Sequence, residues 1–298
     1  MEFYEKVEQI KEGENSKIYK CNKIDFKECF VIKKVKIDAA SGVSSLALRE
    51  IRSLKTLANA SIATNIIDLE DIFTDQNFIC LVFKHFPISL QSLISDGFSF
   101  SNDHVCSILY QLLSALDHVH SQGLIYRNLR PSHIVFSEQG KLKIIDFSLA
   151  RPHGSRMTNE IGLLSYRAPE ILLGDCTYTN KVDSWAVGCI LLEIKNKKPV
   201  FEAESDVEQC KLILSTLGAP DIDYPWNTLF EVGRYAKKEP FEMTVQTAFG
   251  HLFDTKILQL LKELLLLNKN TRLSATNALK LPVVKKGQNV VLSFEAEN

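Results

Sequence analysis

The sequence has little of what marks a nucleic-acid-binding or membrane protein. Its 298 residues carry 35 Lys and Arg against 36 Asp and Glu, so a formal charge of −1 creates no bulk field toward anionic partners. The longest apolar run, at residues 186–192, is far shorter than the about 20 residues of a membrane-spanning helix. We therefore expect no direct nucleic-acid contact and no membrane contact.

Paired cysteines and a secretion signal are also lacking. The seven cysteines are scattered along the chain and form no CxxC pair, which favours reduced thiols over a disulfide or zinc framework. The charged N-terminus MEFYEKVEQI has no apolar signal-peptide core. These features predict an intracellular protein, in the nucleus, the cytoplasm or both.

The chain changes character after its first third, and no internal repeat or low-complexity linker interrupts it. Short strand-like runs alternate with polar punctuation over residues 1–86, where SSLALREIRSLKTL is the one long helical pattern. Helical patterns dominate over residues 87–298. This order predicts an α+β protein with a β-rich N-lobe and an α-helical C-lobe. The C-terminal tail KKGQNVVLSFEAEN is expected to form a surface strand or a loose end.

Several longer motifs follow one another in a characteristic order. They are YRAPEILLG at 166–174, DSWAVGC at 183–189, TLGAP at 216–220 and TRLSATNAL at 271–279. In order and spacing the chain resembles a eukaryotic protein kinase of the cyclin-dependent kinase family, over about residues 4–284. The resemblance implies one two-lobed protein kinase domain. It also implies that Glu170 pairs with Arg272 and that Asp183 has a structural role.

The nucleotide side of the resemblance is partly intact. IKEGENSKIY resembles the glycine-rich loop that covers ATP phosphates, but Gly13 is its one remaining glycine. Lys33, Glu50 and Asp146 stand where the family has its phosphate-binding lysine, the partner glutamate and a metal-binding aspartate. The resemblance implies ATP with Mg²⁺ as cofactor, bound less well. The implied nucleotide-binding set is Ile10, Gly13, Ile18, Val31, Lys33, Glu50, Phe83, Phe86, Val135 and Asp146.

The catalytic loop departs from the family pattern HRDLKPxN and reads YRNLRPSH. Asn128 replaces the carboxylate that accepts the substrate proton, and an amide has no useful basicity. Arg130 replaces the lysine that steadies the transferred phosphoryl group. His133 replaces the asparagine that binds a second metal ion, and nitrogen suits Mg²⁺ poorly. We expect phosphoryl transfer to be lost or strongly impaired, because these changes fall in one small volume.

Regulatory features of the family, unlike its catalytic loop, are retained. SGVSSLALRE resembles the PSTAIRE segment, which implies a cyclin-like partner bound through residues 42–57. Thr158 aligns with the activating phosphothreonine, and Arg49, Arg127 and Arg151 align with the arginines that gather around it. Such clusters order a loop through charge-assisted hydrogen bonds to phosphate.

Two hypotheses therefore remain open. The first is a pseudokinase-like regulator of the cell cycle or of transcription that binds nucleotide and a cyclin-like partner. The alternative is an active ATP-dependent Ser/Thr protein kinase with an altered catalytic loop, acting on a protein substrate. Scaffold partners are compatible with either hypothesis.

Overall fold

A computed structural model describes most of the chain. The described ranges are residues 4–13, 15–24, 28–59, 65–154, 156–159, 161–218 and 241–294. Residues 219–220 of the predicted TLGAP motif lie outside the described residues.

The first part of the chain forms an antiparallel sheet with the strand order β1-β2-β3-β6-β5, and β4 pairs with β3. Its strands are β1 (Tyr4–Glu12), β2 (Ser16–Lys23), β3 (Cys29–Asp38), β4 (Gly42–Val43), β5 (Leu69–Asp75) and β6 (Phe78–Lys84). Alternation along β3 sends Phe30 and Ile32 to a small apolar cluster with Cys80. Val31 and Lys33 consequently face the other side, where the helix of this region packs.

That helix, α1 (Ser45–Asn59), buries Ala47, Glu50, Leu54 and Leu57 on one face. Their spacing of three and four residues is the helical period that the sequence displayed. The buried leucines join a core that continues into the helical region. A buried glutamate in such a face needs a cationic partner, and Lys33 on β3 supplies it.

Helices dominate the remainder of the chain. They are α2 (Leu90–Ser95), α3 (Asn102–Ser121), α4 (Pro169–Leu172), α5 (Lys181–Asn196), α6 (Asp206–Leu217), α7 (Phe241–Phe249), α8 (Thr255–Leu264), α9 (Ala275–Ala278) and α10 (Pro282–Lys285). Helix α5 is buried from Val182 to Ile194, so it forms the centre of this region. A Cβ at Gly188 would lie 2.6 Å from Leu265, which explains a glycine at this crossing.

Short strands position the loops that matter for function. β9 (Ile134–Phe136) lies between β10 (Leu142–Ile144) and β7 (Ile88–Ser89), while β8 (Leu124–Ile125) pairs with β11 (Arg151–Pro152). The catalytic-loop residues 126–133 therefore run from β8 to β9. The α+β expectation with a β-rich first lobe and a helical second lobe is confirmed, whereas the boundary at residue 86 stays a prediction.

The C-terminal tail differs from the expected loose end. A 3₁₀ turn (Lys286–Asn289) follows α10, and Leu292 is 2% exposed. Phe294 packs its ring 4.8 Å from that of Phe136 and 5.8 Å from that of Phe98. Leu292 and Phe294 thus cover part of the helical lobe and remove apolar area from water, whereas Val291 is 81% exposed.

All seven cysteines are free, as expected, and five of them are buried. Over the ranges that the structure describes, no helix combines the length and the apolar character needed to cross a membrane.

Candidate active site

Three charged side chains from different elements meet between the lobes. Lys33 Nζ on β3 lies 2.7 Å from Glu50 Oε2 on α1 and 3.1 Å from Asp146 Oδ1. Asp146 follows β10 and adopts a left-handed φ of 59°, a strained conformation for a residue with a side chain. The structure therefore brings together the lysine, glutamate and aspartate that the sequence predicted.

The charges of this trio shift one another's pKa. Burial opposes the charge of Lys33, but Glu50 and Asp146 outweigh it and raise the lysine pKa. Burial raises the pKa of Glu50, with Lys33 opposing. For Asp146, burial is outweighed by Lys33, His133 and the Ser148 amide, and its pKa falls to about 2. The site thus keeps a cation next to an ionised carboxylate at neutral pH.

The backbone of the catalytic loop is held by Asp183 of α5. Its carboxylate accepts hydrogen bonds from the Tyr126 amide at 2.9 Å and the Arg127 amide at 2.7 Å. His120 Nε2 lies 2.8 Å from the same carboxylate. A buried carboxylate with several partners fixes the loop regardless of which side chains the loop carries. Asp183 therefore fits the structural role that the resemblance implied.

The side chains of the loop form a closed set of their own. Arg130 Nε and Nη2 lie 3.1 and 2.9 Å from His133 Nε2. His133 Nδ1 lies 3.0 Å from the carbonyl oxygen of Asn128. A guanidinium only donates hydrogen bonds, so Nε2 must be the acceptor and Nδ1 carries the proton. Both nitrogens of His133 are therefore engaged by the protein.

His133 also faces the aspartate of the trio, with 3.4 Å between its Nε2 and Asp146 Oδ2. Burial lowers the pKa of His133 to about 4, and Arg130 adds to that effect while Asp146 opposes it. The imidazole is therefore neutral at physiological pH. Sequence reasoning named Arg130 and His133 separately and did not foresee that they bind each other.

Tyr126 makes a second unforeseen contact. Its hydroxyl donates to the carbonyl of Ile145, and its ring meets the edge of Phe147 at 5.0 Å and 75°. Tyr126 is fully buried, so this partner satisfies a hydroxyl that would otherwise be costly to bury. The side chain thus ties the catalytic loop to the segment that carries Asp146.

Asn128 lies in the same loop and is 8% exposed. A pocket beside it is lined by Arg127, Leu129, Ile161, Gly162 and Tyr166. Gly162 has a φ of 65°, and its carbonyl accepts from Arg167 Nη2 at 3.3 Å. Asn128 therefore lies in the wall of a pocket between the catalytic loop and the segment around Gly162.

The remaining nucleotide-site candidates line the sheet side. Gly13 stands in the turn between β1 and β2, where its amide donates to the Ser16 carbonyl at 2.8 Å. Val31 pairs in register with Phe83, which is buried. Ile10 on β1 is 49% exposed. The assignment of these residues to a nucleotide site stays a prediction. The other members of the set are Ile18, half-buried on β2, Val135, buried on β9, and Phe86, half-buried after β6.

The residues suit a phosphate better than a pair of metal ions. Lys33 offers a cation, and Asp146 offers a carboxylate of the kind that Mg²⁺ prefers. His133 does not fit the second ion position, because Arg130 holds its Nε2. Among the described residues, no group of three or more His, Cys, Asp or Glu could hold a metal ion.

The predicted regulatory residues also converge. Arg127, which has a φ of 69°, donates from Nη1 to Thr158 Oγ1 and to the Tyr178 hydroxyl, both at 3.1 Å. Burial lowers the pKa of Arg49, and the nearby charges of Arg127 and Arg151 lower it further. Arg127 therefore contacts the exposed Thr158 directly, and Arg127 and Arg151 both lie close enough to Arg49 to act on its charge. Sequence reasoning missed Tyr178, which donates to the Thr158 carbonyl at 2.7 Å.

A buried ion pair anchors the end of the same segment. Arg272 Nη1 and Nη2 lie 2.6 and 2.8 Å from the two carboxylate oxygens of Glu170. Each side chain is 1% exposed. The bidentate geometry satisfies two charges that would each be costly alone. The predicted partners are thus side by side.

Comparison with known proteins defines the class. A family model described as protein kinase domain matches residues 4–284. A probable cell division protein kinase of Encephalitozoon cuniculi is 37% identical over 297 residues, covering 99% of this chain and 95% of that relative. A chain of the yeast RNA Pol II CTD kinase CTDK-1 complex superposes with a TM-score of 0.80 at 28% identity, covering 93% and 91% of the two chains.

The fold and the site together define a protein kinase domain, a class that generally uses ATP with Mg²⁺. Within that class the chain belongs to the cyclin-dependent kinase family.

Proposed function

We propose that this chain is a cyclin-dependent-kinase-like regulator that binds nucleotide and a cyclin-like partner, with phosphoryl transfer lost or strongly impaired. The observation that carries the proposal is the catalytic loop. Asn128 supplies no proton acceptor, and Arg130 and His133 engage each other.

The magnitude of the loss follows from the chemistry. A positioned general base contributes about 10²–10⁴ in rate, and protein kinases typically turn over at about 1–100 s⁻¹. Without that base we expect a turnover of about 10⁻⁴–1 s⁻¹, and the loss of a second metal ligand at His133 lowers it further. Some transfer can persist, because phosphoryl transfer depends mainly on positioning and charge stabilisation.

Nucleotide binding rests on the trio of Lys33, Glu50 and Asp146. The Glu50 contact holds Lys33 where it can meet phosphate oxygens, and Asp146 offers a carboxylate for Mg²⁺. Weakened binding is part of the proposal, since the loop before β2 keeps one glycine and Val31 stands where the family has a smaller residue. When bound, ATP would supply the phosphoryl group and Mg²⁺ would neutralise its charge.

The partner surface is the segment 42–57. Leu46 and Leu48 of α1 are 46% and 53% exposed, so this helix presents apolar side chains outward as well as inward. Exposed apolar groups beside a functional helix fit a protein partner. The similar proteins are a probable cell division protein kinase and a chain of an RNA Pol II CTD kinase complex. They favour a role in the cell cycle or transcription, and hence in the nucleus.

Regulation through Thr158 belongs to the same proposal. Its hydroxyl already accepts a hydrogen bond from Arg127, and Arg49 and Arg151 lie close enough to perturb one another's charge. A phosphate on Thr158 would add about two negative charges within this cluster. The chain would then be a phosphoprotein whose activation segment is ordered by phosphorylation.

The alternative is an active Ser/Thr protein kinase, and one observation favours it. Arg167 donates hydrogen bonds to the carbonyls of Ile161 and Gly162, which hold in place the segment that lies beside Asn128. A chain that only binds nucleotide would not need an ordered segment next to the catalytic loop.

A phosphate-transfer assay on the purified chain with its co-purifying partner separates the two. We expect turnover below the ordinary range, since Asn128 supplies no proton acceptor, and a further loss in the Asp146→Asn variant, which removes the carboxylate for Mg²⁺. Turnover in the ordinary range of about 1–100 s⁻¹, abolished by Asp146→Asn, would establish the active kinase instead.

A further inference from the structure

We propose that the nucleotide pocket binds nucleoside polyphosphates without requiring a divalent cation, because Arg130, held in place by His133, supplies the positive charge. The inference rests on the nucleotide binding proposed above and specifies which form of the nucleotide is bound.

The first support is the fixed position of the guanidinium. Arg130 donates twice to His133 Nε2, and that nitrogen lies 3.4 Å from Asp146 Oδ2. Lys33 Nζ lies 3.1 Å from the other oxygen of Asp146. Lys33 therefore contacts one oxygen of Asp146 directly, whereas Arg130 lies behind the neutral His133 that faces the other oxygen. A phosphate chain lying along Asp146 would have Lys33 on one side and the His133–Arg130 pair on the other.

The second support is what His133 has given up. Its Nδ1 proton goes to the carbonyl of Asn128 and its Nε2 lone pair goes to Arg130. Coordinating a metal ion would require breaking the contact with Arg130 and leaving that guanidinium unpaired in a half-buried site. His133 therefore holds the Arg130 guanidinium in place and is not available as a metal ligand.

The third support is the local charge balance. Asn128 is neutral, so the described side chains around the phosphate position carry two positive charges, Lys33 and Arg130, against two negative charges, Glu50 and Asp146. An aspartate at residue 128 would add a third carboxylate. Divalent cations in phosphoryl-transfer sites offset the repulsion between carboxylates and phosphates. With one carboxylate fewer and a fixed arginine, that requirement is relaxed.

The test is the affinity of the full-length chain for ATP, measured by calorimetry with excess Mg²⁺ and again with EDTA. We expect the two Kd values to agree within about threefold. A tenfold difference would correspond to about 1.4 kcal/mol of binding free energy. Binding at least tenfold tighter with Mg²⁺ would overturn the inference and leave the proposed nucleotide binding standing. Binding in neither condition would overturn both.

Two variants identify the residues responsible. Arg130→Ala should weaken ATP binding in EDTA at least tenfold, whereas Lys256→Ala, at an exposed lysine of α8, should leave it unchanged. Asn128→Asp, a nearly isosteric change, should weaken binding in EDTA and restore dependence on Mg²⁺. An unchanged Kd in EDTA for both Arg130→Ala and Asn128→Asp, at unchanged unfolding midpoints, would contradict the assignment.

Discussion

The catalytic loop, residues 126–133, and the activation-segment anchor, formed by Arg127, Thr158, Tyr178, Glu170 and Arg272, adjoin each other but differ in what they retain. In the anchor, side chains meet the partners that the family pattern implies, such as the bidentate Glu170–Arg272 pair. In the loop, substituted side chains have found new partners, such as Arg130 with His133.

The difference shows that the backbone of a loop can keep its course while the side chains that it carries change. Asp183 holds the amides of Tyr126 and Arg127 whatever side chains follow them. The loop can therefore carry an amide at Asn128 and keep the same backbone course. Arg127, with its strained φ of 69°, belongs to both regions and connects them.

The largest expected effect is on the anchor. Arg272→Ala would leave Glu170 buried without a cation and should lower the free energy of unfolding by about 3–5 kcal/mol. Chemical denaturation measures this loss. As a control, Asp68→Asn breaks a pair with Lys143 in which the aspartate side chain is 68% exposed, and should change stability by about 0–1 kcal/mol. Equal effects of the two variants would show that the anchor is not a buried unit.

The next effect concerns the loop and its dependence on pH. His133 faces Asp146, Arg130 and Lys33, and its pKa falls from 6.5 to about 4 on folding, mainly through burial. Between those pH values the unfolded chain binds a proton that the folded chain does not. Stability should therefore fall as pH drops from 6.5 to about 4, by on the order of 3 kcal/mol from this group.

The His133→Asn variant should lose this part of the slope and keep the acid loss due to Asp146, whose pKa of about 2 acts at lower pH. Urea midpoints measured at intervals across the range compare the two proteins. Parallel curves for wild type and variant would show that the imidazole is not held neutral in the fold.

A smaller effect is expected at the exposed threonine. Chain prepared with phosphothreonine at 158 should resist proteolysis of residues 151–167 about tenfold better than unmodified chain, equivalent to about 1.4 kcal/mol of ordering. The reason is that Arg49, Arg127 and Arg151 gain an anionic partner. Arg49→Gln should reduce the protection. Equal cleavage of modified and unmodified chain would show that phosphorylation of Thr158 does not order this segment.

The sequence predicted the fold well, because motif order and hydrophobic periodicity act over long stretches. The helix α1 could be predicted from spacing alone, and Leu54 and Leu57 lie on its buried face, whereas Leu46 of the same pattern is 46% exposed. The pairing of Lys33 with Glu50 and of Glu170 with Arg272 followed from the family resemblance.

What could not be predicted depends on local geometry. Arg130 and His133 meet because a 3₁₀ turn (Pro131–His133) brings them together. No hydrophobic periodicity in the sequence predicts that turn. Tyr126 finds the Ile145 carbonyl across separate elements, and the tail residue Phe294 finds Phe136 far away along the chain. Such contacts depend on which surfaces lie next to each other in the fold. The amino-acid composition carries no information on that arrangement.

The central claim is tested most directly by repairing the loop. Single-turnover phosphate transfer by the partner-bound chain is compared with that of the Asn128→Asp/His133→Asn variant, with Asp146→Asn added to the repaired chain as control. We predict that the repair raises the rate by about 10²–10⁴ and that the control abolishes the gain. A wild-type rate equal to that of the repaired chain would contradict the claim that chemistry has been lost while the scaffold is kept.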